Sequence, residues 1–222
     1  MRMLVGLASL FSISLGAMEC VIPENVEEYN YVAKENSKDW INKNIETDSF
    51  VLAISWSPAY CEGSNKTTGH QCGPKNKGKF GLIVHGLWGQ SEHAEGNFKK
   101  HPRNCLDAPE ISVSTLKQHL CMMPGVKLIQ KEWEKHGTCD FSTPEEYLDK
   151  TRDLFTNLTI PSIEETKKVE YESWKKIADW FASHNKALKM EREHIFVQMK
   201  DRRLKEIRVC YNKSYHLKQC DL

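Results

Sequence analysis

Apolar positions change their spacing several times along the chain, and each change predicts an element. Phe50-Val-Leu-Ala-Ile-Ser-Trp56 is short, continuous and rich in β-branched residues, the pattern of a buried strand. Pro58 ends it. Phe80-Gly-Leu-Ile-Val-His85 is a second such run, and Gly86-Leu-Trp-Gly89 after it reads as a turn. His194-Ile-Phe-Val-Gln-Met199 and Leu204-Lys-Glu-Ile-Arg-Val-Cys210 read as two further strands, with Asp201-Arg-Arg between them as a hairpin. Elsewhere the spacing is helical. Ser112 to Met122 is one helix, broken by Pro124-Gly125, and Val126 to His136 is the next, with Ile129 and Trp133 pointing inward. Ser142-Thr-Pro-Glu-Glu starts another that ends near Leu158, because proline is tolerated and acids are favoured in a first turn. Ile163 to Asn185 reads as the longest helix, with Tyr171, Trp174, Ile177, Ala178 and Phe181 as its core stripe. Glu24 to Ile45 is polar with scattered aromatics and reads as a helical approach segment. No repeat, low-complexity tract or linker interrupts the pattern, so a single α+β domain is expected.

Composition changes this picture little. The 222 residues suffice for one real core, and 40% hydrophobic with 27% charged content is ordinary for a globular chain. A formal charge of +1 excludes a bulk basic field, so any attraction to phosphate must be local. Residues 1–17 change the picture more. Arg2, the apolar run Met3 to Leu15, and Gly16-Ala17 read as an export signal. The run is too short for a membrane helix, which needs about 20 residues, and no later run qualifies, so no membrane association is expected. The mature domain is then 18–222. It keeps eight cysteines, Cys20, Cys61, Cys72, Cys105, Cys121, Cys139, Cys210 and Cys220. An even number behind an export signal implies disulfides and an oxidising compartment. Eight cysteines allow roughly a hundred pairings, although a Cys61–Cys72 bridge would close the Gly-, Asn- and Lys-rich loop 61–79 locally. No CxxC pair and no HExxH is present, so metal ligation is not expected.

The chemistry concentrates in Lys131-Glu-Trp-Glu-Lys-His-Gly-Thr-Cys139. On a helix Glu132 and His136 are four residues apart and share a face, which Lys135 joins and Lys131 edges. Gly137 then stops the helix and Cys139 fastens it. A carboxylate, an imidazole and two ammonium groups together suit acid–base chemistry on an anionic substrate. His85, alone after a strand, gains its weight from pairing with this helix.

His85-Gly-Leu-Trp88 and Lys135-His-Gly-Thr-Cys139, in this order and some fifty residues apart, resemble the two active-site segments of the ribonuclease T2 family. Phe50 to Trp56 with Cys61, and Lys205 to Cys210, resemble family strands, so the resemblance covers most of 48–222. It implies an α+β fold whose central, mainly antiparallel sheet is flanked by helices. It also implies a monomeric endoribonuclease acting on single-stranded RNA with no cofactor and no metal. The product would be a 2′,3′-cyclic phosphate, hydrolysed more slowly to a 3′-phosphate. By residue-wise match, His136 is the general base, His85 the general acid, and Glu132 with Lys135 the pair that supports the transition state. The carboxylate favours protonated His136 and Lys135 opposes it, a balance left open by the sequence. Trp88 matches a base-pocket tryptophan and can stack on a base, with core packing as its alternative. The resemblance also implies Cys105–Cys139 and Cys210–Cys220, which with Cys61–Cys72 leave Cys20–Cys121 as the remainder.

The chain departs from the family pattern in places. Lys131 stands where many members have histidine; it can bind phosphate as a point charge. Gly89 and Gln90 stand where proline and often an acid are usual, which leaves base preference open. Asn65-Lys-Thr, Asn157-Leu-Thr and Asn212-Lys-Ser are glycosylation sequons in a eukaryotic route, and periplasmic, extracellular and lysosomal locations all fit export. Two other classes compete. A non-catalytic exported binding protein has no need of His85, Glu132 and His136 together. A metal-dependent hydrolase would have to use His70, His85, His93 or His101, which lack ligand spacing.

Overall fold

A computed structural model describes residues 20–31, 39–63, 68–94 and 96–221. The export signal at 1–17 and the Asn65 sequon lie outside them. Four strands form one antiparallel sheet: β1 (Ser49–Trp56), β2 (Leu82–Gln90), β3 (Ile195–Lys200) and β4 (Arg203–Asn212), in the order β2-β1-β4-β3. Asp201 and Arg202, with φ of 52° and 62°, make the two-residue β3–β4 turn. Positive φ at both central positions gives the turn a twist that matches the strands.

Seven helices are described: α1 (Ser57–Gly63), α2 (Gly69–Cys72), α3 (Val113–His119), α4 (Val126–Lys135), α5 (Pro144–Thr156), α6 (Ile163–Val169) and α7 (Trp174–His184). Ser112, Thr143, Ser162 and Ser173 cap α3, α5, α6 and α7, each hydroxyl accepting an otherwise unpaired first-turn amide. Phe50, Leu52, Ile54 and Trp56 of β1 and Ile207 and Val209 of β4 meet Leu116, Ile129, Trp133, Tyr147 and Phe181 of the helices in one core.

Two bulges set which side chains leave that core. Ala53 pairs with Gly86 and Ile54 with Val84, so His85 is an extra residue on β2. Successive strand residues alternate faces, and the extra residue reverses the alternation. Leu82 and Val84 point into the core before the bulge and Leu87 after it. His85 and Trp88, three apart, therefore share the opposite face, and their ring centroids lie 5.2 Å apart. Lys205 is the extra residue on β4, where Gln198 pairs with Glu206 and Met199 with Leu204. Leu204, Ile207 and Val209 are core, which leaves Glu206 and Arg208 facing His85 and Trp88.

Three sequence expectations are corrected. Gly86 to Gly89 is strand, not turn. Gly86 is there for space: a Cβ would lie 2.3 Å from Glu132 Oε2 and 2.7 Å from Trp88 Nε1. The helix expected over 163–185 is two helices, and α5 is longer than either. Glu170 turns inward between them, where its Oε2 accepts from Trp56 Nε1 at 2.6 Å and Arg203 Nε at 2.5 Å. Ser173 then caps a new helix, so Ile177, Ala178 and Phe181 are core while Tyr171 and Trp174 are exposed. The approach segment 24–45 contains no helix among its described residues. It is tied down by Cys20–Cys121 and by Tyr31 and Asp39, which reach the end of α4.

The disulfides are Cys20–Cys121, Cys61–Cys72, Cys105–Cys139 and Cys210–Cys220, the pairing expected. Among the described residues no helix is long and apolar enough to cross a membrane.

Candidate active site

β2 is an edge strand and α4 packs beside it. Ile129 and Trp133 anchor α4 in the core, so Glu132 and its neighbour one turn on, His136, are fixed relative to the sheet. His136 ends the helix at non-helical angles (φ −124°, ψ −46°) while its amide still donates to Glu132 O at 3.0 Å. Gly137 follows because a Cβ there would lie 2.3 Å from the Trp133 ring.

Glu132 stands between two imidazoles. Its Oε1 is 3.7 Å from His85 Nε2 and its Oε2 is 3.8 Å from His136 Nε2. Both gaps exceed a hydrogen bond, so Glu132 acts on each ring as a nearby charge, attracting it when the ring is protonated. Its orientation comes from Trp88, whose indole N–H donates to Oε2 at 2.7 Å. The Trp88 ring also lies 5.5 Å from that of His136. Trp88 thus packs between the histidines at a cleft of about 780 Å³, lined also by Trp40, Arg103, His136, Phe196 and Arg208. It is not a core residue, and Arg208 covers it at 4.9 Å.

The histidines have opposite environments. Burial works against charge on His85, but the carboxylates of Glu132 and Glu206 outweigh it and raise its pKa. Glu206 Oε2 is 2.7 Å from His85 Nδ1. Burial pushes His136 well below its ordinary value, and Arg103, His85 and Lys135 push it further. The balance left open by the sequence thus resolves towards the neutral ring. Arg103 Nη1 lies 3.2 Å from His136 Nε2. Arginine can only donate, so this contact puts the lone pair of His136 on Nε2 and its proton on Nδ1, which is buried with no hydrogen-bond partner.

The two lysines lie apart from this pair. Lys135 Nζ is 2.9 Å from Asp39 Oδ2 and 5.4 Å from the Tyr31 ring, while Lys131 lies over the rings of Tyr29 and Tyr31. The Asp39 side chain is buried and also accepts from Arg103 Nε at 2.5 Å, from Asn104 Nδ2 at 3.1 Å and from the Tyr31 hydroxyl. Despite the cost of burial, these donors hold its carboxyl well below the usual range. Asn104 in turn occupies the left-handed region (φ 51°) and donates its amide to Lys135 O, next to the Cys105–Cys139 bridge.

Sequence reasoning did not single out Asp39, Arg103, Glu206 or Arg208. Glu206 and Arg208 carried one signal, two charges in alternation within an apolar strand. Asp39 and Arg103 carried none. The histidines that a metal site would have needed do not converge. His70 Nε2 sits 4.0 Å from Cys20 Sγ, and His101 accepts the Ser91 amide. Among the described residues no three His, Cys, Asp or Glu side chains gather to hold a metal.

Known proteins are similar to this chain in sequence and in fold. A probable ribonuclease of Haemophilus influenzae is 32% identical over 209 residues, covering 89% of this chain and 70% of the relative. Among solved structures, an RNase-related protein from Calystegia sepium aligns over 79% of this chain and 91% of its own, with a TM-score of 0.57 and 22% identity. A variant of RNase MC1 in complex with 5′-UMP aligns over 80% of this chain and 94% of its own, with a TM-score of 0.56 and 21% identity. At these identities the two structures show the fold alone. The profile of the ribonuclease T2 family matches residues 47–220, from two residues before β1 to the last cysteine, and the chain belongs to that family as an endoribonuclease.

Proposed function

We propose that the chain cleaves single-stranded RNA by transphosphorylation, with His136 as base and His85 as acid. His136 Nε2 takes the proton of a ribose 2′-hydroxyl, and the 2′-oxygen attacks the adjacent phosphorus. The bond to the 5′-oxygen breaks as His85 Nε2 gives that oxygen its proton. The products are a 2′,3′-cyclic phosphate and a 5′-hydroxyl. In a slower second step water replaces the 5′-oxygen, the two rings exchange roles, and a 3′-phosphate results. Glu132 stabilises whichever ring is protonated, and Arg103 supplies positive charge beside the phosphorane. The acid, the base and the cations are all side chains, so the reaction runs without a metal. DNA lacks the attacking hydroxyl and is not a substrate.

The observation that carries this reading is the pair of imidazoles on either side of Glu132, one driven towards charge and the other away from it. Opposed environments of this kind support this choice of acid and base. The four disulfides fit an exported protein. We place it outside the reducing cytosol as a monomer, with residues 1–17 removed and 18–222 acting as one domain.

The test uses polyuridylate in EDTA, with product ends read by phosphorus NMR. Cyclic-phosphate ends should appear at the rate seen without chelator, and loss of activity in EDTA contradicts the mechanism. His85→Phe and His136→Phe should each lower the rate by at least about 10²-fold, the usual scale of general acid–base catalysis. A variant that keeps half the normal rate removes its residue from the assignment.

A further inference from the structure

Glu206 lies deep in the sheet with 2% of its surface exposed. Oε2 accepts from the Ser55 hydroxyl of β1 at 2.9 Å and meets His85 Nδ1 of β2 at 2.7 Å. Oε1 accepts from Arg208 Nε of β4 at 2.8 Å. A carboxylate needs compensation when buried, and Arg208 with Ser55 already provides it. The bond to His85 is therefore more than the sheet requires.

Resting on the acid–base reading above, we infer that Glu206 is a positioning residue for His85, holding its imidazole with the proton on Nδ1 so that proton exchange occurs only at Nε2. Nε2 is the atom that faces Glu132. The carboxyl of Glu206 is drawn down to about 2 despite burial, by His85 and Arg208, so it stays an acceptor across the working range. An acceptor on Nδ1 keeps a proton there in both states of the ring. In the first step the imidazolium then loses its Nε2 proton to the leaving oxygen. In the second step the neutral ring offers its Nε2 lone pair to water. One bond serves both directions, and its charge keeps the acid protonated. Alternation after the core residue Val84 puts His85 on the face on which Glu206 lies, and the β2 bulge keeps Trp88 on that face as well.

The test separates this role from a structural one by the leaving group. Wild type and Glu206→Gln are compared on uridylyl-(3′,5′)-adenosine, whose alkoxide must be protonated, and on uridine 3′-(p-nitrophenyl phosphate), whose leaving group needs little acid. The variant should lose about tenfold or more on the dinucleotide and less than about threefold on the aryl ester. Its descending basic limb should move to lower pH, because loss of the carboxylate lowers the pKa of the acid. The remaining charges around the ring, Glu132 and His136 from the α4 side and Arg208 from β4, are unchanged in the variant. The His85 C2–H titration followed by NMR should move the same way, which reads the contact without turnover. Glu206→Asp, which keeps the charge but draws it back from Nδ1, should show the same leaving-group signature at smaller size and covers the case in which the glutamine variant does not fold. Equal losses on both substrates, or an unmoved His85 titration, overturn the inference. A wild type inactive on both substrates overturns the reading beneath it instead.

Discussion

His136 is made a base by what surrounds it, and Arg103 is the part of that environment that can be removed. After burial, the guanidinium is the next largest influence holding the ring below its ordinary pKa. Arg103→Gln should let the His136 pKa rise. A base works only when neutral, so the ascending acid limb of kcat/KM should move to higher pH. A pH series on polyuridylate reads this directly, and an unmoved limb separates Arg103 from the base. Arg103 itself is aimed by Asp39, through a contact between residues 64 apart in sequence. Lys135, which on a helical wheel belongs beside Glu132, is drawn to the same carboxylate. The pairing leaves Arg103 as the cation lining the cleft next to the base.

At the scale of elements, the end of α4 is held by Cys105–Cys139, across a separation of 34 residues. Closing a loop of that length stabilises by about 4 kcal/mol on the chain-entropy model. Replacing both cysteines with alanine should lower Tm and kcat together, because His136 sits on the clamped end. Replacing Cys61 and Cys72, whose bridge closes loop 61–72 away from the cleft, should lower Tm and leave kcat nearly unchanged. Thermal melts beside kcat for both double variants decide it; equal losses of kcat would show that the clamp does not set the site. The strands were legible because short apolar, β-branched runs are a local signal, and so was the hairpin at Asp201-Arg202; the Ser and Thr caps of the helices were not read from the sequence. The glycines of β2 misled for a physical reason. Gly86 makes room for Glu132 and Trp88, and Gly89 for Thr47 and Asp140, so neither serves to turn the chain. Three- and four-residue spacing ran on past Glu170 although that side chain is drawn inward and the helix breaks. Glu206 could not be joined to His85 across 121 residues without knowing which strands neighbour each other.

For the whole molecule the near-zero net charge sets how RNA is held. Asp39 offsets Lys135 and Arg103, and Glu206 offsets Arg208. Few phosphates can be neutralised, so salt should matter little. Plotted as log kcat/KM for polyuridylate against log salt, the slope should be about −2 or shallower, since each neutralised phosphate of a single strand adds about −0.7. A slope near −5 would reveal an extended basic track that the charge pairing here does not suggest.

The extra residue at His85 also governs how this gene can change. Leu82, Val84 and Leu87 can each be exchanged for another apolar side chain without altering the direction of the histidine, because direction depends on counting and not on identity. Loss of one codon between those for Ala53's partner and Ile54's partner would restore a regular ladder and take the acid away with the sheet intact. In this stretch the inherited quantity is a length, and a lineage can rewrite most of its letters while the number of letters stays fixed.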